Sequence, residues 1–223
     1  MKLVHPDWER QIEWKNETVP VIVIENPEYH LQVLEELYHQ VHRMEGRFVL
    51  SEQECILDMS KQGALLLSPW DLNFEDRRIM TELFSRLKKI SVGEKYYRHT
   101  CQLTESILQY ADMISMELPI PLNYDAEIDV MPFLKALHLH VDNENLSLPD
   151  KMITYMDVCI ELFGDMCFIF NGFHDLLSRE QLIQFYDTVF DKHFCILLIE
   201  GHENDILEKE EVLIFDHDLC QIF

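Results

Sequence analysis

Glycine is scarce in this chain, six residues in 223, and none stands where a phosphate-binding loop would need it. Such a loop uses glycines to let backbone N–H groups approach the phosphate oxygens, and a lysine to reach them. The apolar run from Thr18 to Ile24 stops instead in Glu25-Asn26-Pro27-Glu28. A nucleotide would meet two carboxylates there. The six cysteines form no Cys-x-x-Cys pair, so a zinc ribbon or thioredoxin-like centre has no support, and they read as reduced thiols packed as small hydrophobes. No serine or cysteine lies on a Gly-x-Ser-x-Gly elbow. No apolar run approaches the ~18 residues of a membrane span, and the first residues carry no charged-then-apolar leader. A soluble, cytoplasmic protein without membrane contact is expected.

Positive charge is the other shortage. Eighteen Lys and Arg stand against 41 Asp and Glu, a net charge of -23, which on average opposes nucleic acid. The distribution qualifies the average. Arg77, Arg78, Arg86, Lys88, Lys89, Lys95 and Arg98 fall within 22 residues, opposed only by Glu82 and Glu94, so this segment carries +5 and the remainder -28. Two readings stand: a solvated helix face whose charges pair at i, i+4, or a basic stripe that confines phosphate binding to one surface.

What is abundant is apolar and β-branched residues, 48% hydrophobic overall, enough for a large core. Val19, Val21, Ile22, Val23 and Ile24 suit a strand covered on both faces, as in a parallel sheet. Asn26 and Pro27 then predict entry into a helix bearing Leu31, Leu34, Leu37, Tyr38 and Val41. Residues 1–14 read as an edge strand or hairpin, and short strands follow around Phe48, Cys55 and Ala64. Asn73 is read as the cap of a helix with Met80, Leu83, Phe84, Leu87 and Ile90 at helical spacing, with Arg78, Arg86 and Lys89 roughly opposite. Past Ser91-Val92-Gly93 a second long helix runs to about Glu117, giving an antiparallel helical hairpin. After a short helix near Pro132, a strand is expected at Leu137–Val141, then a helix from Pro149-Asp150 with Ile153, Met156, Ile160 and Phe163 inward. DMCFIF and FCILLIE read as buried strands flanking a helix opened by the Ser178–Gln181 capping box. Strands alternating with helices imply a parallel α/β sheet.

Several residue groups invite chemistry. Glu200 closes a buried strand, where magnesium-binding or catalytic carboxylates occur, and Asp216 and Asp218 follow at a terminal turn. Together they allow a metal-dependent phosphohydrolase or nuclease; solvated strand ends and turns explain them equally. His138 and His140 would share one face of the expected strand, as a ligand pair or as packed histidines. The acids Glu117, Asp125, Glu127 and Asp129 join the helix pair back to the sheet, as a solvated linker or a site for a hard cation.

The segments VIVIENPEYHLQVLEEL, GRFVLSEQE, SPWDLNFEDRRIMTELFSRL, YDAEIDV, CFIFNGFHDLLSREQL, FCILLIE and FDHDLC, in this order along nearly the whole chain, resemble the Csn-two family of type II-A CRISPR adaptation. The resemblance implies a head domain with a degenerate P-loop-ATPase-like sheet (1–70 and 121–223) and an inserted α-helical leg domain (71–120, with part of it extending to about 150). It further implies a ring-shaped homotetramer that encloses double-stranded DNA and prefers free ends, with no catalysis, beside the two integrase proteins and the effector nuclease. The seven basic residues become channel-lining candidates that grip backbone without reading bases. Calcium is implied between head and leg, at Asp125 and Glu127 with Glu117 and Asp129 beside them. Here the chain departs from the family, whose turn is richer in acids than Pro119, Pro121 and Asn123 allow. The resemblance leaves a protein-binding scaffold, with no DNA, as a third reading.

Overall fold

The computed structural model describes residues 1–15, 17–125 and 128–223. They form two compact units, Met1–Asn73 with Asn143–Phe223, and Phe74–Asp142. The first unit opens with β1 (Lys2–Val4) antiparallel to β2 (Ile12–Glu13). β3 (Val19–Ile24) follows, buried at all six positions. Asn26 then starts α1 (Pro27–Val41): its side-chain oxygen accepts the N–H groups of Glu28 and Tyr29, each at 3.1 Å, and Pro27 supplies a preset φ in the first turn. α1 buries Tyr29, Val33 and Leu37, whereas its apolar residues Leu31 and Tyr38 are 58% and 45% exposed. Tyr29 enters the core because its hydroxyl accepts the Trp8 indole N–H at 3.1 Å, and that choice rotates the buried stripe.

β4 (Val49–Glu52) and β5 (Cys55–Leu57) complete a four-stranded antiparallel sheet in the order β2-β1-β4-β5. α2 (Met59–Gln62) leads into β6 (Gly63–Leu66), which belongs to a second sheet.

In the second unit, Asp76 caps α3 (Arg77–Ser91) by accepting the Arg78 N–H at 2.7 Å, three residues later than the predicted Asn73 cap. Val92 and Gly93 turn the chain into α4 (Glu94–Ser115). The Thr100 hydroxyl donates to the Ser91 carbonyl at 2.8 Å and ties the two helices at their junction. α5 (Met131–Ala136) follows the acidic turn. The strand expected at Leu137–Val141 does not form. Leu137 closes α5 and His138 has φ +51°, a left-handed residue that breaks any extended run.

The chain returns to the first unit with α6 (Leu148–Phe163), capped by Ser147 and burying Met152, Met156, Cys159 and Leu162. Of the predicted inner face, only Met156 is fully buried, because Ile153, Ile160 and Phe163 form a competing apolar face that is half-covered. β7 (Cys167–Asn171), α7 (Arg179–Asp191), β8 (Cys195–Glu200), β9 (Glu210–Phe215) and β10 (Gln221–Ile222) complete the fold. The reciprocal Ser178–Gln181 box opens α7 as the sequence predicts.

The second sheet runs β10-β9-β3-β8-β7-β6, and every pairing except β10 with β9 is parallel. β3 lies between β8 and β9, which explains its unbroken apolar run. Ile22, Phe168, Phe170, Leu197 and Ile199 are fully buried here. Truncating one of them, as in Ile22→Ala, costs about 2–5 kcal/mol through lost transfer energy and the cavity left behind.

Candidate nucleic-acid interface

The α3 and α4 hairpin holds all seven basic residues singled out in the sequence. Arg77, Arg78, Lys88, Lys89, Lys95 and Arg98 are exposed, while Arg86 is half-buried with its Nε 3.4 Å from Glu82 Oε1. The i, i+4 pairing expected of a solvated face therefore holds for Arg86. Lys88 is also engaged: its Nζ lies 2.9 Å from Asp129 Oδ2, and Asp129 Oδ1 accepts the Met131 N–H at 3.0 Å. That backbone N–H, with Lys88 second, holds the Asp129 carboxyl below its usual range. The Lys95 ammonium sits 5.0 Å from the centre of the Tyr96 ring. Helical periodicity puts cations along one hairpin because the half-buried residues Leu83, Phe84 and Leu87 take the opposite side of α3.

The structure adds a cation that sequence patterning missed. Lys135 on α5 approaches Phe84 of α3, Nζ to ring centre 5.8 Å, and lines a groove with Arg77. It stands alone on a six-residue helix, and only the packing of α5 beside α3 reveals its company.

Of the four acids proposed for calcium, the structure describes three. Glu127 lies outside the described residues, Glu117 and Asp125 are exposed, and Asp129 is held by Lys88. Among the described residues, no three His, Cys, Asp or Glu side chains converge as a metal site would require.

The first unit answers the catalytic reading residue by residue. At the start of α1, the Asn26 side chain occupies the N–H groups an anion would use, and its own amide donates to the His217 carbonyl at 3.0 Å. Glu200 ends β8 fully buried. Its Oε1 accepts the His174 N–H at 3.0 Å, and its Oε2 has no partner among the described residues. Burial pushes this carboxyl up to about 7, against the pull of the His174 N–H. His174 in turn stands 3.2 Å from Glu210, whose carboxylate raises it, and the Tyr186 hydroxyl donates to the same Glu210 oxygen at 2.6 Å. Burial alone would raise Glu210, but hydrogen bonds from His174, the Leu207 N–H and Tyr186 outweigh it and keep it low. Asp216 Oδ1 accepts the N–H groups of Asp218 and Cys220, at 2.9 and 2.8 Å, so these acids shape the turn between β9 and β10. His138 and His140 share no strand face; the His140 Nδ1–H donates to the His138 carbonyl at 2.8 Å.

No helix is long and apolar enough to cross a membrane among the described residues. A family model described as CRISPR-associated protein (Cas_Csn2) matches residues 40–219. A search of curated proteins returns no match. Among solved structures, the crystal structure of Stu0660 of Streptococcus thermophilus superposes with a TM-score of 0.60 at 14% identity, over 100% of this chain and 76% of that one. This likeness is one of fold. The match over residues 40–219, most of the chain and including both α3 and the β7 to β9 segment, shows that the protein belongs to the Csn2 family of CRISPR-associated proteins.

Proposed function

We propose that this protein acts in CRISPR spacer acquisition as a non-catalytic binder of double-stranded DNA ends, gripping the backbone irrespective of sequence from the α3 and α4 hairpin. The observation that carries the reading is charge placement. On a chain of net charge -23, six exposed cations stand together on one helical hairpin, which favours one phosphate-facing surface and opposes wrapping elsewhere.

Assembly into a ring-shaped homotetramer belongs to the same reading. α4 has no fully buried residue, and Tyr96, Leu103 and Tyr110, spaced seven apart, are 42%, 48% and 63% exposed with Ile114 at 51%. An apolar stripe of this spacing on an exposed helix suits packing against a second copy. The calcium part rests on Glu117, Asp125 and Glu127; the described residues do not fit a ligand set as they stand, and Asp129 would first have to release Lys88. The integrase proteins and effector nuclease are the partners this role requires. The head sheet, in this reading, is a P-loop-ATPase-like frame whose anion site Asn26 has closed.

The test is binding to linear and covalently closed circular duplexes of one sequence, with calcium and with chelator, alongside native mass. Retention of linear DNA by a tetramer, weakening with salt and lost in the Arg78→Glu, Lys89→Glu double variant, is the expected result. Binding to neither form at low salt sinks the reading and favours a protein-binding scaffold. Magnesium-dependent cleavage abolished by Glu200→Gln would instead establish the phosphohydrolase.

A further inference from the structure

A groove of about 530 Å³ opens in the second unit alongside α3, lined by Arg77, Thr81, Phe84, Lys135, His138 and His140, with Met80, Leu139 and Glu75 completing it. Its polar lining opposes the chain's net charge: one carboxylate, Glu75, stands with two permanent cations and two imidazoles. Among the described residues, Arg77 and Lys135 have no carboxylate within ion-pair distance, in contrast to Lys88 with Asp129. The Lys135 ammonium stands 5.8 Å from the centre of the Phe84 ring, a contact that holds it over the groove while its hydrogens can still donate.

The histidines add a condition. His140 Nδ1 lies 2.8 Å from the His138 carbonyl, and a carbonyl can only accept, so Nδ1 carries the proton. A neutral His140 ring therefore presents a bare Nε2 lone pair, which repels a phosphate oxygen. Only the protonated ring has a second N–H to offer. The left-handed backbone at His138, φ +51°, turns the chain so that both rings and Lys135 line the same groove.

We propose that this groove is a second phosphodiester-gripping site continuous with Arg77, in which His140 contributes only as the imidazolium, so that DNA is held more tightly as pH falls. The inference rests on the DNA-binding reading above and extends it to residues outside the basic run. Arg77 is shared between the two surfaces; Lys135, His138 and His140 are new to it. The charged and titratable groups that line the groove with His140 are Arg77, Lys135, His138 and Glu75.

The experiment is a fluorescence-anisotropy titration of a labelled linear duplex by the wild type, Lys135→Glu and His140→Gln, each over a salt series at about pH 6 and about pH 8. These positions are exposed, and thermal unfolding of each variant checks that its fold is intact. The expected result is a several-fold loss of affinity in Lys135→Glu with the log–log salt slope reduced by about one, and a wild-type tightening at the lower pH that is reduced in His140→Gln. Ring NMR signals of His138 and His140 should move on adding DNA. A wild type that binds DNA while Lys135→Glu leaves affinity and slope unchanged overturns the groove and leaves the hairpin reading standing. A pH response equal in wild type and His140→Gln overturns the imidazolium condition. A wild type that binds no DNA at either pH overturns the parent reading, and the groove falls with it.

Discussion

Lys88, near the end of α3, and Asp129, two residues before α5, meet at 2.9 Å across 41 positions of sequence. Each was a candidate ligand for something else, a phosphate and a calcium ion, and each satisfies the other. An exposed pair of this kind adds little stability, but it sets the charge Lys88 can offer. Asp129→Asn is expected to free Lys88 and strengthen DNA binding several-fold at low salt. If calcium takes Asp129, adding calcium should tighten DNA binding in the wild type and have no effect in Asp129→Asn. Anisotropy titrations of both proteins with calcium or chelator decide it.

The Glu200 and His174 pair predicts a stability slope. The Glu200 carboxyl is raised from an ordinary 4.5 to about 7, so the folded state holds a proton that the unfolded chain releases, and stability falls as pH rises through that window. His174, also raised, contributes stability that is present below its ordinary value and lost as pH rises through its folded one. Both act in the same direction. Thermal unfolding from about pH 5 to about pH 8 should show a falling midpoint, by an amount worth roughly 3 kcal/mol for Glu200 at most. Glu200→Gln should flatten the slope; an unchanged slope would assign it to other groups.

Asn26→Ala removes the acceptor for two N–H groups at the start of α1 and should cost about 1 kcal/mol by chemical denaturation. ATP with magnesium should leave the thermal midpoint of the wild type unshifted, because the anion site is filled from within. A nucleotide-dependent rise in the wild type would return the P-loop comparison to a working site.

Replacing Leu103 and Tyr110 on α4 with glutamate should reduce the native mass without lowering the thermal midpoint, since α4 buries no residue fully within the chain. Native mass spectrometry reads the first and calorimetry the second. A tetramer that survives both substitutions places the assembly contact elsewhere.

The signals that proved readable in the sequence were local. β3, the Asn26-Pro27 entry to α1 and the Ser178–Gln181 box depend on residues within a few positions of each other, and the structure has them as expected. The buried stripes of α1 and α6 were harder because apolar residues occupy more than one face: the Trp8 hydrogen bond decides for Tyr29, and half-covered Ile153 and Ile160 compete with Met152 and Cys159. The apolar residues at Leu137–Val141 mimic a strand, yet among the described residues no strand pairs with them, and a left-handed residue stands near the start. In the candidate interface, helical periodicity found the exposed Arg78 and Lys89, but not the half-buried state of Arg86, the capture of Lys88 by Asp129, or Lys135. Those depend on which distant segment lies alongside.

The place of β3 in the sheet has a consequence for synthesis. Its two hydrogen-bonded neighbours, β8 and β9, are encoded after residue 194, with the whole second unit in between. A ribosome that has made α1 has therefore made a strand with neither partner available, its five β-branched residues open to solvent and to other chains. The helical hairpin emerges after β4, β5, α2 and β6 but before β7, β8 and β9, and it has only neighbouring contacts to find, so it can form while the parallel sheet waits. This orders the birth of the molecule, antiparallel sheet and helical hairpin before parallel sheet, and makes nascent β3 the segment most in need of a chaperone.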